Sequence, residues 1–366
     1  MNKCTNLLLR EKIALRLYSS KKKAEARAHE LRYLFWECTL KCNLSCLHCG
    51  SDCSSDNTIS DMPLEDFLAV LDSIKKTHDP SRIIVAITGG EPLMRKDLAI
   101  AGQEIRKRGF RWGIVTNGYL MNKDRFDELL GAGLVSMAIS LDGFKEDHDW
   151  FRGKKDSYNR AIETIKYAVK AEGKKRIIFD IVTCVNQRNI GNLEGIKKLL
   201  VKLGVKRWRL ASIFPKGRAS SNTELTLQPQ QLHQLMEFIK RTRSEGQIEA
   251  SYGCQGFLGN YEMKVRSAPH YCRAGISIGS VLVDGSISAC PSLRADYIQG
   301  NIYKDDFLQV WNNRYKVMRN RSWLRTGACK TCKVWKYCFG SGLHIRTEKS
   351  GELLYCEYNE MKKGDV

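Results

Sequence analysis

A chain of 366 residues with a formal charge of +20 and 43% hydrophobic residues is long enough for about two domains and can bury a full core. The apolar run Leu7-Leu8-Leu9 is too short for a secretory signal, and no stretch approaches the length of a membrane span. The charge favours an acidic partner or is simply a solvated lysine-rich surface; no helix-turn-helix cue, RNA-recognition motif or paired zinc-finger histidines accompany it, so nucleic acid is not the expected partner.

Met1 to Arg32 holds nine Lys or Arg against three Glu and reads as one or two helices, Leu7 to Leu17 and Lys21 to Leu31. Leu9, Ile13 and Leu17 recur at helical spacing among Arg10, Lys12 and Arg16. Such a stripe suits a cap on the domain that follows; a leader-peptide dock or a peripheral membrane contact is its other use.

Strand-like runs then alternate with helical patterns. The strands are Tyr33–Trp36, Ile83–Thr88, Trp112–Thr116, Val135–Ser140, Ile177–Thr183 and Lys206–Ala211. Helical spacing marks Leu64–Lys76, Lys96–Arg108, Lys123–Leu130, Tyr158–Ala171 and Ile190–Leu203. This alternation means parallel strands with crossover helices, as an open barrel or a doubly wound sheet, with chemistry at the C-terminal strand ends. After the sixth strand Pro215-Lys-Gly-Arg-Ala is a turn-rich connection, and a helix over Gln228–Ser244 leads to a cysteine-rich region. The expected units are a basic helical segment (1–32), an α/β domain (33–245) and a cysteine-rich domain (246–366).

The motifs obey the strand-end rule. Cys42, Cys46 and Cys49, spaced C-x3-C-x2-C, follow the first strand. Thr88-Gly-Gly-Glu-Pro-Leu93 follows the second, Thr116-Asn-Gly118 the third and Ser140-Leu-Asp-Gly143 the fourth. All four share one rim, which argues for one active site. Fourteen cysteines, mostly within 38–53 and 254–356 and with no secretory signal, read as metal ligands in the reducing cytoplasm. Three thiolates in one short loop leave one iron of a four-iron cubane without a protein ligand. A zinc site or buried structural cysteines is the other reading, though zinc usually takes four ligands from paired C-x2-C units. Gly89 and Gly90 let backbone approach a ligand, Glu91 is an acceptor for a cationic group, and Pro92 fixes the turn. Ser140, Asp142 and Asn117 offer hydrogen bonds, and Arg152 a planar fork for a carboxylate. His48 suits packing over a cofactor, while Cys38 and Cys53 read as buried thiols.

C-x3-C-x2-C followed by Gly-Gly-Glu-Pro resembles the radical S-adenosylmethionine (SAM) enzymes. The resemblance implies a partial (β/α)6 barrel and a [4Fe–4S] cluster on Cys42, Cys46 and Cys49. It implies SAM bound by Gly89, Gly90, Glu91 and Pro92, with Asn117, Ser140, Asp142 and Arg152 as further contacts. Its chemistry is cleavage of SAM to a 5′-deoxyadenosyl radical by an oxygen-sensitive enzyme, fed by an electron donor such as flavodoxin or ferredoxin.

The C-terminal order is Cys272, Gly285 to Cys290, Gly300-Asn301, Cys329-x2-Cys332, Cys338 and Cys356. It resembles the SPASM domain, the auxiliary iron–sulfur extension of peptide- and protein-modifying radical SAM enzymes. That family's pattern implies one complete auxiliary [4Fe–4S] cluster on Cys329, Cys332, Cys338 and Cys356. Cys272 and Cys290 lack the partner that the family places where this chain has Gly342. With Cys254 as a third ligand an iron stays open; otherwise this half-site is empty or holds zinc. In sulfatase-maturating relatives a carboxylate follows the cysteine matching Cys290, and here Pro291 stands there. Asp296, Asp180 and Tyr252 are the conceivable substitutes. The function this implies is a maturase acting on a peptide or protein, acidic in keeping with the charge; the alternatives are a small-molecule or cofactor precursor as substrate, or a non-catalytic iron–sulfur scaffold.

Overall fold

The computed structural model describes residues 7–253, 255–347 and 350–364. Cys254, a candidate metal ligand, lies outside them. The N-terminal segment forms one helix, α1 (Leu9–Ala28), since no Gly or Pro interrupts it. Its expected stripe faces solvent: Leu9, Ile13 and Leu17 are 74%, 50% and 70% exposed. Leu15, Ser19 and Lys22 are buried instead. Leu15 packs with Phe257, Val334, Tyr337 and Tyr358. Ser19 Oγ and Lys22 Nζ donate to the carbonyls of Lys336 and Tyr337, both at 3.0 Å. The helix therefore caps the C-terminal cysteine region, not the domain that follows it in sequence. Two polar anchors decide its orientation, and apolar periodicity does not register them.

Seven strands run parallel and adjacent: β1 (Tyr33–Glu37), β2 (Ile84–Thr88), β3 (Arg111–Thr116), β4 (Leu134–Ser140), β5 (Ile178–Val185), β6 (Arg207–Ser212) and β7 (Glu249–Tyr252). The crossings are α2 (Leu64–Ile74), α3 (Leu98–Lys107), α4 (Lys123–Gly131), α5 (Lys145–Arg152), α6 (Ser157–Gly173), α7 (Leu193–Leu203) and α8 (Pro229–Glu245). All six expected strands are present. The unforeseen β7 is four residues long, too short for a periodic signal. Alternate residues of the seven strands, Phe35, Ala86, Ala138, Asp180, Arg209 and Ser251 among them, line one cavity of about 470 Å³. The sheet thus curls round a lumen without closing, a partial barrel. Its outer face is covered by the helices. Trp36 stacks on Phe67 of α2 with ring centroids 4.3 Å apart. Trp112 lies so close under α3 that a Cβ at Gly102 would sit 2.2 Å from its ring.

The C-terminal region extends the same sheet. β8 (Ile278–Val281) pairs parallel with the free side of β1. β9 (Ser286–Ser288) and β10 (Gly300–Asn301) add antiparallel strands. Short helices follow: α9 (Phe307–Asn313), α10 (Lys316–Arg319), α11 (Trp335–Cys338) and α12 (Glu357–Lys363). Among the described residues no helix is long and apolar enough to cross a membrane.

Candidate active site

The loop after β1 folds back on itself, with Cys42 N donating to Ser54 O at 2.9 Å. Cys42, Cys46 and Cys49 meet in one small nest with Leu40, Leu44, Cys53 and Val283. Polar N–H groups approach each sulfur. Asn117 Nδ2 is 3.9 Å from Cys42 Sγ, Arg152 Nη1 3.7 Å from Cys46 Sγ, and Cys53 N 3.5 Å from Cys49 Sγ. Hydrogen bonding from Cys53, whose backbone N–H points at the sulfur, is the largest influence holding the Cys49 thiol down. Burial pushes Cys42 up to about 12, and raises Cys46 against the pull of Arg152. The twelve cysteines among the described residues are all free of disulfides. Three unbridged thiols in one nest, each met by an N–H donor, suit an iron–sulfur cluster with one iron left without a protein ligand. Cys38 is a plain buried thiol as expected; Cys53 is more than that, because it touches a ligand sulfur.

The Gly-Gly-Glu-Pro turn lies against this loop. Gly90 N donates to Thr39 O at 2.8 Å and Glu91 N to Lys41 O at 2.9 Å. A Cβ at Gly89 would sit 2.2 Å from Thr39 O, and one at Gly90 2.2 Å from Lys41 O. The close backbone approach expected here is to the cysteine loop itself. Glu91 is 1% exposed, and its carboxylate accepts from Leu93 N (3.1 Å), Thr116 Oγ1 (2.7 Å) and Asn117 N (2.8 Å). Both oxygens are thus engaged inside the protein. Glu91 ties the β2 rim to the β3 rim, and Oε2, which takes a single donor, keeps acceptor capacity. Pro92 opens a buried turn of helix behind it. Asn117 bridges Asn43 Oδ1 at 3.0 Å and the Cys42 sulfur.

This packing predicts that Gly90→Ala drives backbone apart, since the Lys41 carbonyl cannot swing aside. The expected loss is about 1–3 kcal/mol of stability and most of the bound iron. Gly131→Ala, at a position with open space, should change neither. Urea midpoints and iron per chain measure both.

Asp142 and Arg152, read separately as ligand contacts, pair with each other. Arg152 Nε and Nη2 each lie 2.6 Å from Asp142 Oδ2. Cys184 N donates to Asp142 Oδ1 at 2.8 Å. Both side chains are buried, and the pair sets the guanidinium against Cys46. Ser140 ends β4, half-buried on the same rim. His48 stacks on Phe151 at 4.1 Å, 6° from parallel, and burial pushes it down to about 3, so it packs as a neutral ring.

Sequence reasoning missed Arg218. It reaches from the loop after β6 to the carbonyls of Cys46 (2.8 Å) and Cys53 (3.1 Å), and its own N–H donates to Cys49 O. Gly217, at φ +57°, packs within 2.3 Å of that carbonyl if given a Cβ. The signal was available: this cationic turn follows a strand on the same rim.

In the C-terminal region Cys332, Cys338 and Cys356 pack round Val334, Tyr337 and Tyr358. Arg346 Nη2 approaches Cys329 Sγ at 3.2 Å, and Cys338 Sγ lies 3.0 Å from Ser341 Oγ. Cys329 acts electrostatically on both Cys338 and Cys356. Four neighbouring thiols suit a complete cluster. Cys272, buried, and Cys290, half-buried, form a separate pair within electrostatic reach. At Gly342 a Cβ would lie 2.5 Å from His344 Cε1, so the imidazole occupies the space of the family's missing cysteine. Of the conceivable proton acceptors, Asp180 pairs with Arg209 at 2.7 Å, Asp296 is exposed, and Tyr252 is bound to Ser212 and Glu357.

Residues 36–200 match the Radical SAM superfamily, and residues 272–333 match SPASM, an iron–sulfur cluster-binding domain. An AdoMet-dependent heme synthase of Methanosarcina barkeri is 25% identical over 354 residues, covering 91% of this chain and 98% of its own. A PqqA peptide cyclase of Rhizobium meliloti is 22% identical over 316 residues, covering 83% and 80%. The solved structure of anSMEcpe with bound AdoMet shares the fold, with a TM-score of 0.70 at 19% identity over 92% of this chain and 95% of that one. The curled sheet, the thiol nest at its rim and the second cysteine set therefore belong to a radical SAM enzyme with a C-terminal SPASM domain, one that uses [4Fe–4S] clusters and S-adenosylmethionine.

Proposed function

We propose that this enzyme acts on a heme-type tetrapyrrole or its precursor. The observation that carries this reading is the end-to-end similarity to the heme synthase, 91% of one chain against 98% of the other. A second relative of the same organism, an Fe-coproporphyrin III synthase, is 26% identical over 342 residues. Porphyrins of this class carry carboxylates, and Lys154, which donates to Asn43 O beside the cysteine loop, is a cation at the rim; Arg207 and Arg209 in the lumen are paired with Glu172 and Asp180, and Arg218 with Asp52.

With cluster and SAM bound, the site supplies a 5′-deoxyadenosyl radical for hydrogen abstraction. The chain's own residues do the rest. Asn117, Arg152 and Cys53 hold the sulfurs, Glu91 locks two rim turns together, and Arg218 closes the loop from the far side. The second reading keeps a peptide or protein substrate, and the similarity to a peptide cyclase favours it.

The test adds Fe-coproporphyrin III to anaerobically reconstituted enzyme with SAM and a reductant. A saturable Soret shift, faster 5′-deoxyadenosine release and a changed porphyrin mass are the expected results. No shift and no stimulation sinks the tetrapyrrole reading. Stimulation by an acidic peptide instead establishes the second.

A further inference from the structure

A cleft of about 700 Å³ lies between α1 and the segment 316–322. Ile276, which lines it, precedes β8, and Ser277 O accepts from the N–H of Arg32 and of Tyr33 at the start of β1. The cleft is therefore at the N-terminal ends of the strands, opposite the rim that carries the thiol nest. Six cations line it: Lys22, Lys23, Arg27, Lys316, Arg319 and Arg321. No Asp or Glu does.

Among the described residues the hydrogen-bond partners of the inner cations are carbonyls. Lys22 donates to Tyr337 O, Arg319 to Gly275 O at 2.8 Å, and Arg321 to Cys272 O at 2.7 Å. Carbonyls fix their positions; Glu262 acts electrostatically on Lys22, and among the described residues no salt bridge reaches Arg319 or Arg321. Six like charges in one concavity repel one another, an arrangement that favours an anionic partner.

The floor of the cleft meets the C-terminal cysteines. Phe339 follows Cys338, and Trp335 lies between Cys332 and Cys338. Lys22 Nζ sits 5.6 Å over the Phe339 ring and within electrostatic reach of Cys338. The basic surface also runs past the cleft along α1. Leu9 and Arg27 are 18 residues apart, five turns at about 3.6 residues each, so they share one line of the helix. On that side the exposed Leu9, Ile13 and Leu17 stand among exposed Arg10 and Arg16. An apolar strip edged with cations beyond the cleft is more surface than a small anion covers, and it suits the small mixed interface of a transient redox complex.

We propose that this cleft docks an acidic, low-potential electron-transfer protein, which passes one electron to the cluster held by Cys329, Cys332, Cys338 and Cys356. The donor's flavin or iron–sulfur centre loses one electron, the cluster gains it, and no bond forms or breaks. The proposal rests on the SPASM domain and is independent of the substrate.

The test uses reconstituted holoenzyme and photoreduced flavodoxin. Cluster bleaching is followed by stopped-flow absorbance, and docking by calorimetry. The rate should fall steeply with added KCl. Lys23→Glu, Arg27→Glu and Lys316→Glu together should slow reduction at low salt and weaken binding, each by about 10-fold or more. Reversing Lys166, Lys170 and Lys198, three exposed lysines of α6 and α7, changes the net charge equally and should leave both near wild type. Equal losses in the two variants, or none in the first, overturn the proposal. So does failure of both flavodoxin and ferredoxin to bind wild type. Pyrophosphate should compete with flavodoxin; if it fills the cleft without slowing reduction, the cleft is a small-anion site and the proposal is wrong.

Discussion

Arg152→Met is expected to cost about 3–5 kcal/mol of stability and to strip iron from the cysteine loop. Asp142 has a fully buried carboxylate, and Arg152 supplies its cation through two contacts of 2.6 Å. Methionine fills much of the space but leaves that carboxylate charged and unpaired in a low dielectric. The same change removes the guanidinium 3.7 Å from Cys46 Sγ, which helps a ligand thiolate stay ionised. Arg152→Lys keeps the charge without the fork and should fall between the two, because an ammonium cannot serve carboxylate and sulfur in one plane. Adding Asp142→Asn to Arg152→Met removes the orphaned charge. It should recover stability but not iron binding, which separates the two roles. Urea midpoints and iron per chain report each. Full iron content in Arg152→Met would show that the guanidinium does not matter to the cluster.

Glu91→Gln is the second large effect, although it is nearly isosteric. The carboxylate receives three donors, two on Oε1 and one on Oε2. An amide keeps one acceptor and turns the other into a donor, so one buried N–H faces another. That mismatch is worth about 1–3 kcal/mol. It falls on the joint between the β2 and β3 rims, so SAM affinity should drop by about 10-fold or more, roughly 1.4 kcal/mol. The pH dependence has a definite sign. Burial raises Glu91 from 4.5 to about 7, so between those values the folded state holds more protons than the unfolded one. Stability contributed by this group is full below 4.5 and declines as pH rises to about 7. In Glu91→Gln that decline disappears. Denaturation at several pH values, with SAM binding by calorimetry, tests both; an unchanged slope would remove Glu91 from the account.

The barrel was legible because each strand buries one face under the helices and the first ones read as apolar runs, Ile84–Thr88 among them, between helices of clear period. What escaped had no such pattern. β7 is four residues long, and α5 is Lys-Glu-Asp-His-Asp-Trp-Phe-Arg, polar over most of its length. α1 misled because its exposed face is the apolar one. Its buried face is set by Ser19 and Lys22, whose partners lie 317 and 315 residues away in the chain. At the site, residue types and their rim were legible while pairings were not. Nothing in the order of residues says that Arg152 and Asp142 neutralise each other, that Glu91 accepts from Thr116 and Asn117, or that Gly89 and Gly90 make room for Thr39 and Lys41. Arg218, far along the chain from Cys46, comes to its carbonyl only when the sheet curls.

The most direct test of the radical SAM account is 5′-deoxyadenosine formation by protein reconstituted anaerobically with iron and sulfide, given SAM and dithionite, beside Cys46→Ala. Removing one of three sulfurs from the nest should abolish that cluster while the C-terminal thiols keep theirs. The account predicts 5′-deoxyadenosine from wild type and none from Cys46→Ala. A wild type that carries the Cys42–Cys49 cluster and neither binds nor cleaves SAM would contradict it, leaving an iron–sulfur protein of another kind.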